Sequence, residues 1–462
     1  MKSNTKYTHR FVTRCIIEAA TPLSIGTGEK DIITDQLVAR DINGMPYIPG
    51  TTLAGIFRHA IDDRTANDLF GFQDSKNGMG SQIIFTSAHL VGENGTIIDG
   101  LQQDPLQSNF YEHYRNLPVR QHVRINYKGT NENTGKFDEQ VIFKGSRFCF
   151  EIELLSDGKN QTQYEEVLSE LFSNTLRIGG GSRSGFGEIM VVECHTAYLD
   201  LTKQKDLEKY LNKTSSLNDT SLKGVANTYV GSMTYSNIYK RYQVMLEPED
   251  YFLIGSGFGN NDADITPVTE QIVTWDHENK GSFSDDQVLI PASSVKGCIA
   301  HRLAFHYNKL NGQFADRMEV GEFKMFTGSN NKAVNTLFGS EDSNNPKRGH
   351  VLISDIIEAP KTGIIQKKLL NHVSIDRFTG GTIDGALFTE EIIYGKNQAF
   401  ELNILVHIDA FPKDDPNIEK AFNLTLKDIV TGHLPIGGGT NRGNGIFSGK
   451  VIINKGEEMR YE

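Results

Sequence analysis

The chain has 462 residues, of which 38% are hydrophobic and 23% are charged, and its formal net charge is −11. This composition is typical of a soluble globular protein and excludes the disordered and fibrous classes, and the length favours two or three domains. The acidic balance argues against a protein that coats nucleic acid with its whole surface, because such binding needs a broad basic footprint.

No apolar run approaches the ~18 residues that a membrane-spanning helix needs, and the first residues lack the apolar core of a signal peptide. The four cysteines, Cys15, Cys149, Cys194 and Cys298, form no C-x-x-C pair. This spacing favours reduced thiols over a disulfide framework or a zinc knuckle. We therefore expect a cytoplasmic protein without a membrane segment.

The first predicted element is a strand, RFVTRCIIEAATPLSIG, which ends at Gly26. The second half opens in the same way with KRYQVMLEPEDYFLIG, which ends at Gly255. Glu18 and Glu247 lie at matching distances before the two glycines. This similarity is the first sign of an internal repeat.

An acidic motif follows in each half. TDQLVARD is similar to TEQIVTWD, which matches Asp35 with Glu270. On this match the loop before the motif is longer in the second half, where it carries the additional aspartate Asp264. Asp41 and Asp276, at the ends of the two motifs, are interpreted as turn or cap residues.

An amphipathic helix is predicted after each motif, within TTLAGIFRHAI and SSVKGCIAHRL. The apolar residues of both segments recur with helical spacing, and hydroxyl side chains stand where an N-cap is needed. The predicted cap residues are Thr51, Thr52, Ser293 and Ser294.

The next shared block is a hairpin with a long exposed tip. His122 is matched with His372, and Phe137 is matched with Phe388. Alternating residues around turns rich in glycine and asparagine predict two strands in each copy. The first hairpin region is net basic, which indicates either a solvated surface or a local basic groove.

Each half ends in a glycine-rich loop, IGGGSRSGFGEI or IGGGTNRGNGIF. Glycine lets backbone N–H groups approach an anion, so phosphate is one candidate ligand, and a tight turn is the competing interpretation. Neither loop is a Walker A or dinucleotide-binding sequence. The single arginine of each loop, Arg183 or Arg442, is placed to reach a phosphate or a neighbouring carboxylate. The glycines concerned are Gly179, Gly180, Gly181, Gly437, Gly438 and Gly439.

Four blocks matched in the same order predict two tandem domains, at residues 1–199 and 238–462. The polar segment 200–237 between them is interpreted as a linker. The order of strand, helix, hairpin and strand predicts an α+β fold, in which helices cover a mostly antiparallel sheet of the ferredoxin-like type.

The acidic motif, the string IPGTTLAG, the hairpin and the glycine-rich loop together resemble the RAMP superfamily. More closely, they resemble the repeating backbone subunit of type III CRISPR effector complexes, present here in two copies and similar to the fused subunits of type III-D-like systems. The motifs cover most of residues 10–192 and 239–450. The resemblance implies two RRM-like domains, each with a hairpin called the thumb, at about 121–145 and 371–395.

The resemblance also implies an antiviral ribonucleoprotein, in which the chain binds guide RNA, target RNA, other RAMP subunits and the large subunit. Glycine loops and the first-helix N-termini would lie near phosphates, and thumbs would separate bases of the duplex. Arg58 and Arg302 contact phosphate or face solvent, and Tyr127 and Phe378 stack on bases or on their own hairpins. Besides the glycines, the expected RNA-binding residues are Thr51, Thr52, Arg58, Arg120, Arg124, Lys128, Arg183, Ser293, Ser294, Lys296, Arg302, Arg377 and Arg442.

In this family, cleavage of target RNA depends on an aspartate between the first strand and the first helix, and Asp35 is at the matching position. A carboxylate there can bind Mg²⁺ or Mn²⁺ or assist attack by a ribose 2′-hydroxyl. Asp35 is the expected metal ligand and catalytic residue, and Glu270 and Asp264 are candidates in the second half. Because glutamate is longer by a methylene, we expect the second site to be weaker or inactive.

Two other functions fit the same sequence. One is a purely structural RNA-binding scaffold, in a complex whose other subunits cut RNA. The other is a metal-independent ribonuclease that processes guide RNA and uses a histidine as general base. His122 and His372 are interpreted as strand-packing or RNA-contacting residues, because no second metal ligand follows either of them at helical spacing.

Overall fold

The computed structural model describes most of the chain, including nearly all of the predicted site residues. Tyr127 lies outside the described residues. None of the described helices is long and apolar enough to cross a lipid bilayer. The described ranges are 7–28, 34–74, 77–103, 106–126, 128–221, 226–231, 234–319, 321–340, 346–360, 365–454 and 456–459.

The first domain is built on one antiparallel sheet. Its elements are β1 (His9–Ala19), β2 (Tyr47–Ile48), α1 (Gly50–Ala60), α2 (Asp63–Phe70), β3 (Phe72–Gln73), β4 (Gly78–Met79), β5 (Ile83–Phe85), β6 (Ala88–Leu90), α3 (Asn109–Arg115), β7 (Val119–Ile125), β8 (Asn131–Gln140), β9 (Arg147–Ser156), α4 (Gln161–Glu170), β10 (Ile189–Asp200), α5 (Gln204–Asn212) and β11 (Asn227–Thr228). Strand β1 lies between β9 and β10, and β5 and β6 pair with the other edge of β9.

The second domain repeats this plan with longer connections. Its strands and α-helices are β12 (Tyr239–Pro248), β13 (Tyr251–Phe252), β14 (Thr269–Glu270), β15 (Val273–Trp275), β16 (Gly281–Phe283), β17 (Gln287–Ile290), α6 (Ala292–Leu310), α7 (Lys332–Phe338), β18 (Gly339–Ser340), β19 (Lys347–Arg348), β20 (Val351–Ile353), β21 (Ile356–Glu358), β22 (Lys367–His372), β23 (Phe388–Tyr394), β24 (Phe400–His407), α8 (Asn417–Val430), β25 (Phe447–Ile453) and β26 (Glu457–Glu458). Short 3₁₀ turns are Ala315–Arg317, Phe323–Phe326, Gly328–Asn330, Ile408–Ala410 and Thr440–Arg442.

Both domains follow a β-α-β-β-α-β path. The main path of the first is β1, α1, β5 with β6, β9, α4 and β10, and that of the second is β12, α6, β20, β24, α8 and β25. The second main sheet has the order β20-β24-β12-β25, which is the order of the first with β12 in the place of β1. The predicted α+β architecture with antiparallel sheets is therefore confirmed.

Helices α1 and α4 cover one face of the first sheet. Leu53 and Phe57 of α1 and Val167 and Leu168 of α4 are fully buried in one cluster with the sheet residue Phe150. The apolar spacing that predicted the first helix corresponds to this buried stripe. Burying one such side chain contributes about 1.5–3 kcal/mol, so the packed face stabilises the helix more than its intrinsic propensity does.

The caps of α1 and α6 differ from the prediction. Both helices begin directly after a proline, without a hydrogen bond from a side chain at the N-cap position. The N–H group of Gly50 donates to Ser87 Oγ at 3.3 Å. The N–H group of Ala292 donates to Asp355 Oδ1 at 2.7 Å. Both acceptors come from distant turns. The cap prediction was wrong for Thr51, Thr52, Ser293 and Ser294.

Residues 200–221 lie against the outer face of the first sheet, where the sequence indicated a linker over 200–237. Lys213 Nζ lies 2.7 Å from the buried carboxylate of Glu151, which is part of β9. Leu217 is 4% exposed and packs in a small apolar cluster on the same face. The chain itself therefore covers this side of the sheet.

A hairpin of the second domain, β15 with β16, packs into the first domain. Val273 is 4% exposed and belongs to the apolar core of the first domain. Trp275 Nε1 donates to the carbonyl of Gly145 at 2.8 Å, and the Arg147 guanidinium lies 4.4 Å from the centroid of the Trp275 ring. The two domains thus share apolar packing as well as polar contacts.

A buried ionic cluster joins the same two domains. Arg120, on β7, lies between Glu270 and Asp355, and these residues are 6%, 5% and 8% exposed. Arg120 Nε is 3.0 Å from Glu270 Oε2, and Arg120 Nη1 binds Asp355. Burial opposes the charge of Arg120, but the attraction of the two carboxylates outweighs it and raises the pKa of the guanidinium. Removing one member leaves uncompensated buried charge, which is strongly destabilising.

We expect Trp275→Ala to lower the free energy of unfolding by about 2–4 kcal/mol, because it removes a large ring from the contact between the domains. Urea denaturation followed by circular dichroism measures this change, since the substitution removes the only tryptophan of the chain. His277→Ala is the matched control, because His277 lies on the same hairpin with its side chain 89% exposed. Equal losses for the two variants would contradict the role of Trp275.

Arg120→Met is expected to lower the free energy of unfolding by about 3–5 kcal/mol at pH 8, because Glu270 and Asp355 stay buried without their cation. Arg124→Met is the control, because Arg124 lies on the same strand and is exposed. Denaturant titrations of both variants and of the wild type provide the comparison.

The decrease in the free energy of unfolding that Arg120→Met causes is expected to be smaller at pH 5 than at pH 8. Burial raises the pKa of Glu270, and Arg120 partly opposes this shift. Without Arg120 the pKa of Glu270 rises further. The folded variant therefore binds a proton at Glu270 more tightly than the unfolded chain does. A carboxyl whose pKa is raised in the folded protein contributes stability at low pH, and this contribution is lost as the pH rises. The free energy of unfolding of the variant therefore recovers at low pH. An equal loss at both pH values would contradict this account.

Candidate nucleic-acid interface and catalytic carboxylates

Each domain extends a two-stranded thumb, as the sequence predicted. Strands β7 and β8 form the first thumb, and β22 and β23 form the second. His122 pairs across the first hairpin with Phe137, and their rings stack with centroids 4.7 Å apart. His372 pairs with Phe388 in the same way, at 4.8 Å. These pairs confirm the match between the two hairpins.

A buried glutamate on each thumb ties the hairpin to the rest of its domain. Glu139 lies 2.9 Å from Nε2 of the stacked histidine, and it accepts a hydrogen bond from Ser24 Oγ at 3.3 Å. Glu390 also lies 2.9 Å from its histidine, and it binds Arg442 of the glycine-rich loop. Arg442 therefore reaches a carboxylate, one of the two partners that the sequence allowed.

Asp35 lies beside strand β8 at the base of the first thumb. Its backbone N–H donates to the carbonyl of Asp138 at 3.1 Å. Its Oδ2 accepts a hydrogen bond from the N–H of Asp138 at 3.2 Å. These reciprocal bonds orient the carboxylate, and Asp35 remains exposed to solvent.

Asp264 occupies the corresponding place in the second domain. Its backbone N–H donates to the carbonyl of Thr389 at 2.9 Å, and its Oδ2 accepts from the N–H of Thr389 at 2.8 Å. Asp264 is also exposed. The match of Asp35 with Glu270 was therefore wrong, because Asp264 is the structural counterpart of Asp35.

The extra residues of the second domain follow its aspartate instead of preceding it. Asp35 and Asp264 both lie nine residues after the glycine that ends the opening segment, a spacing that reveals the correct match. The similarity of TDQLVARD to TEQIVTWD reflects two related hairpin turns. Asp41 and Asp276 each accept two backbone N–H bonds within their own turn, which confirms their interpretation as turn caps.

Glu270 is enclosed in the contact between the domains. Its Oε2 lies 2.6 Å from Arg120 Nη2, and its Oε1 is buried without a hydrogen-bond partner. This carboxylate is balanced by Arg120 and closed to solvent, so neither residue is placed to contact RNA. No sequence pattern pointed to Asp355, the third member of the cluster.

Several residues that were predicted to contact phosphate bind other groups of the protein instead. Arg58 donates to a backbone carbonyl of its own domain at 2.6 Å, and Arg302 binds Asp428 at 2.5 Å. Arg183 Nε donates to a backbone carbonyl of the second domain at 2.6 Å. Lys296 is half-buried, with its Nζ 5.8 Å from an aromatic ring centroid. The half-buried Ser293 and Ser294 lie in the first turn of α6, and Thr51 and Thr52 lie in that of α1.

The thumb residues present a more open surface. Arg124 and Lys128 of the first thumb are exposed, and so is Arg377 near the tip of the second. Phe378 is 98% exposed, so it does not pack on its own hairpin. The outer parts of the thumbs are therefore accessible, whereas Arg120 at the base is buried.

Both glycine-rich loops are tight turns closed by matched backbone bonds. The N–H group of Gly180 donates to the facing main-chain carbonyl at 2.7 Å, and that of Gly438 does so at 2.6 Å. Their acceptors, Ser24 and Leu253, belong to the opening segment of each domain, so these two N–H groups are already hydrogen-bonded within the protein. A left-handed φ explains the need for glycine at other positions. These positions include Gly179, Gly181, Gly437 and Gly439.

Among the described residues, no group of three or more histidine, cysteine, aspartate or glutamate side chains could hold a metal ion. Asp35 contacts Asp138, whose buried Oδ1 has no hydrogen-bond partner. Thr389 takes the place of Asp138 beside Asp264. Magnesium is commonly bound by one or two carboxylates together with substrate phosphates. The residues present fit a divalent cation that RNA helps to bind.

Comparison with known families agrees with the two-domain plan. The RAMP superfamily model matches residues 16–190 and 281–448. The first segment runs from β1 into β10, and the second runs from β16 into β25. No curated protein matches the chain. Since the two segments cover more than half of the sequence, the chain belongs to the RAMP superfamily, with one matching segment in each domain.

Proposed function

We propose that the protein is a guide-RNA-binding backbone subunit of a type III CRISPR ribonucleoprotein, and that it cuts guide-paired target RNA at two sites, Asp35 and Asp264. The observation that carries this proposal is the repeated site. Each domain holds one exposed aspartate against its thumb by the same reciprocal backbone bonds. Two ferredoxin-like RAMP domains in one chain fit a type III-D-like system.

The proposed reaction is attack by a ribose 2′-hydroxyl on the adjacent phosphate, with loss of the 5′-oxygen of the next nucleotide. The 2′-oxygen must lose its proton and the leaving oxygen must gain one, which is general acid–base chemistry. The N–H groups of Asp138 and Thr389 fix the two catalytic carboxylates, Asp35 and Asp264, so that each presents an oriented oxygen to the RNA.

Mg²⁺ or Mn²⁺ would be held by Asp35 with Asp138 at the first site and by Asp264 at the second. Such an ion supplies positive charge that stabilises the reacting phosphate. The residue that holds Asp35 is itself a carboxylate, Asp138, whereas Thr389 holds Asp264, so we propose that the first site binds the cation more tightly.

The thumbs would contact the guide–target duplex. Arg124 and Lys128 place positive charge on the exposed part of the first thumb, and Phe378 offers a ring for base stacking on the second. In this role the protein acts in the cytoplasm with guide RNA, target RNA, other RAMP subunits and the large subunit of the complex.

A non-catalytic scaffold is the second candidate function. It is favoured by the finding that the described residues contain no preformed group of metal-binding side chains. A guide-processing ribonuclease has less support. Its general base would be a histidine, and the thumb histidines His122 and His372 are stacked on phenylalanine and paired with glutamate.

We expect Asp35→Asn and Asp264→Asn each to remove one cleavage product and to slow cutting at that position by about 100-fold or more. The assay uses the assembled complex, a labelled target RNA and product mapping, and guide and target binding are measured in parallel. Each variant leaves the other site as an internal control. Asp262→Asn, two residues from Asp264 and exposed, should keep both products. Unchanged products in both site variants would favour the scaffold.

Arg124→Ala with Lys128→Ala is expected to weaken guide-RNA binding by the complex without changing which products form. Loss of two phosphate contacts should reduce the slope of log affinity against log salt by about 2. Filter binding over a range of salt concentrations measures the slope. Lys159→Ala is the control, because its side chain is 83% exposed and lies outside the thumb. An unchanged slope would exclude these two residues from the RNA interface.

A further inference from the structure

A second meeting point of the two domains gathers basic side chains. Arg183, in the glycine-rich loop of the first domain, donates from Nε to the carbonyl of Gly349 in the second domain at 2.6 Å. Arg348 precedes Gly349 and is exposed, and His350 follows it and is half-buried. The rings of His350 and His407 lie 5.6 Å apart, centroid to centroid. These two arginines and two histidines are called the basic junction below.

The basic junction holds little negative charge. Asp409 Oδ2 lies 3.5 Å from Nδ1 of His407, and the Asp409 side chain is 75% exposed. In the described part of the chain, no carboxylate forms an ion pair with Arg183 or Arg348. Arg120, by contrast, lies between two buried carboxylates. Like charges that meet across a contact repel each other, so an anion at the basic junction would stabilise the contact between the domains.

The basic junction also has hydrogen-bond donors to spare. The bond to Gly349 uses one of the five N–H groups of Arg183. Among the described residues, none accepts a hydrogen bond from the terminal nitrogens of Arg183, the side chain of Arg348 or the ring of His350. The terminal N–H groups of a guanidinium match the spacing of two phosphate oxygens. The donors that a phosphate group needs are therefore present.

Two pKa shifts reflect the surrounding positive charge. Burial lowers the pKa of Arg183, and the charge of Arg348 lowers it further. Burial also lowers the pKa of His350. The neighbouring His407, Arg183 and Arg348 act in the same direction, and Asp409 opposes them. Both groups would hold their protons more tightly beside an anion.

The first domain has uncharged residues at the matching positions. The N–H groups of Gln82 and His350 each donate at 2.8 Å to the last turn of the preceding short helix, which aligns the two segments. On this alignment, Arg348 and His350 correspond to Gly80 and Gln82. The basic residues are therefore a feature of the junction between the domains and are not part of the repeated fold.

We propose that a phosphate group binds at the basic junction and links the two domains. Arg183 holds it from the first domain, and Arg348 and His350 hold it from the second. Phosphate suits this place because its oxygens accept charge-assisted hydrogen bonds from several donors at once. A free phosphate compound has this chemistry, and so does the backbone of RNA. The inference does not rest on the proposed function, because inorganic pyrophosphate alone can test it.

Thermal unfolding of the full chain tests the proposal, with inorganic pyrophosphate as the probe at constant ionic strength. Pyrophosphate should raise the unfolding temperature of the wild type increasingly with its concentration. Arg348→Ser should weaken pyrophosphate binding by about 10-fold, because it removes charge-assisted hydrogen bonds. Without pyrophosphate, this variant should unfold at or above the wild-type temperature, since it relieves the repulsion between Arg183 and Arg348.

Two further variants complete the comparison. Lys347→Ser removes the exposed cation next to Arg348 and should respond to pyrophosphate like the wild type. His350→Gln introduces the residue that the first domain has at this position, so it should fold and should weaken pyrophosphate binding.

Single-stranded polyuridine RNA distinguishes the two sources of phosphate. If RNA raises the unfolding temperature of the wild type more than that of Arg348→Ser, the bound phosphate belongs to an RNA backbone. If only pyrophosphate separates the two proteins, the ligand is a free phosphate compound.

Three results would overturn the proposal. A wild type whose unfolding temperature does not respond to pyrophosphate excludes a phosphate site. Equal responses of the wild type, Lys347→Ser and Arg348→Ser place the anion elsewhere. An Arg348→Ser variant that unfolds below the wild-type temperature without pyrophosphate contradicts the repulsion across the basic junction.

Discussion

Arg120 leaves the base of the first thumb and ends between two carboxylates of the second domain. Asp355 uses its other oxygen to cap helix α6, and its backbone meets Gly185 of the first glycine-rich loop. One buried cluster therefore fixes a thumb, a loop and a helix start at the same time. Such a cluster adds little net stability over apolar packing, but it tolerates few alternative arrangements. The relative placement of the two aspartate sites depends on it, with help from the Trp275 hairpin.

The two copies keep the geometry of the aspartate and vary its surroundings. Asp35 and Asp264 have the same pair of bonds to the thumb, whereas Asp138 stands beside one and Thr389 beside the other. The thumb glutamates are anchored differently as well, by Ser24 in the first domain and by Arg442 in the second. The two domains therefore hold the aspartate in the same position in different electrostatic settings.

Local patterns were sufficient to predict the repeat, the long helices, the thumbs and the glycine turns. Apolar spacing and turn chemistry act within a few residues, so they can be read from a single sequence. The caps at Gly50 and Ala292 could not be predicted, because their acceptors lie far along the chain. Residue similarity pointed to Glu270 as the counterpart of Asp35, whereas the constant spacing from the opening glycine indicates Asp264. Arg120 is buried by contacts with residues far along the chain, so no local sequence pattern indicates its burial.

The segment that carries Lys213 and Leu217 has a consequence for recognition. In many RNA-binding domains of this general shape, aromatic side chains on the open sheet stack on bases and read their identity. In the first domain that side of the sheet is interior, with a charged pair at Glu151 and an apolar cluster around Leu217. Under the proposed function, nucleic acid meets the outer part of the thumb, which offers charge and shape in place of base-specific pockets. A domain that binds RNA in this way would accept guides of any sequence.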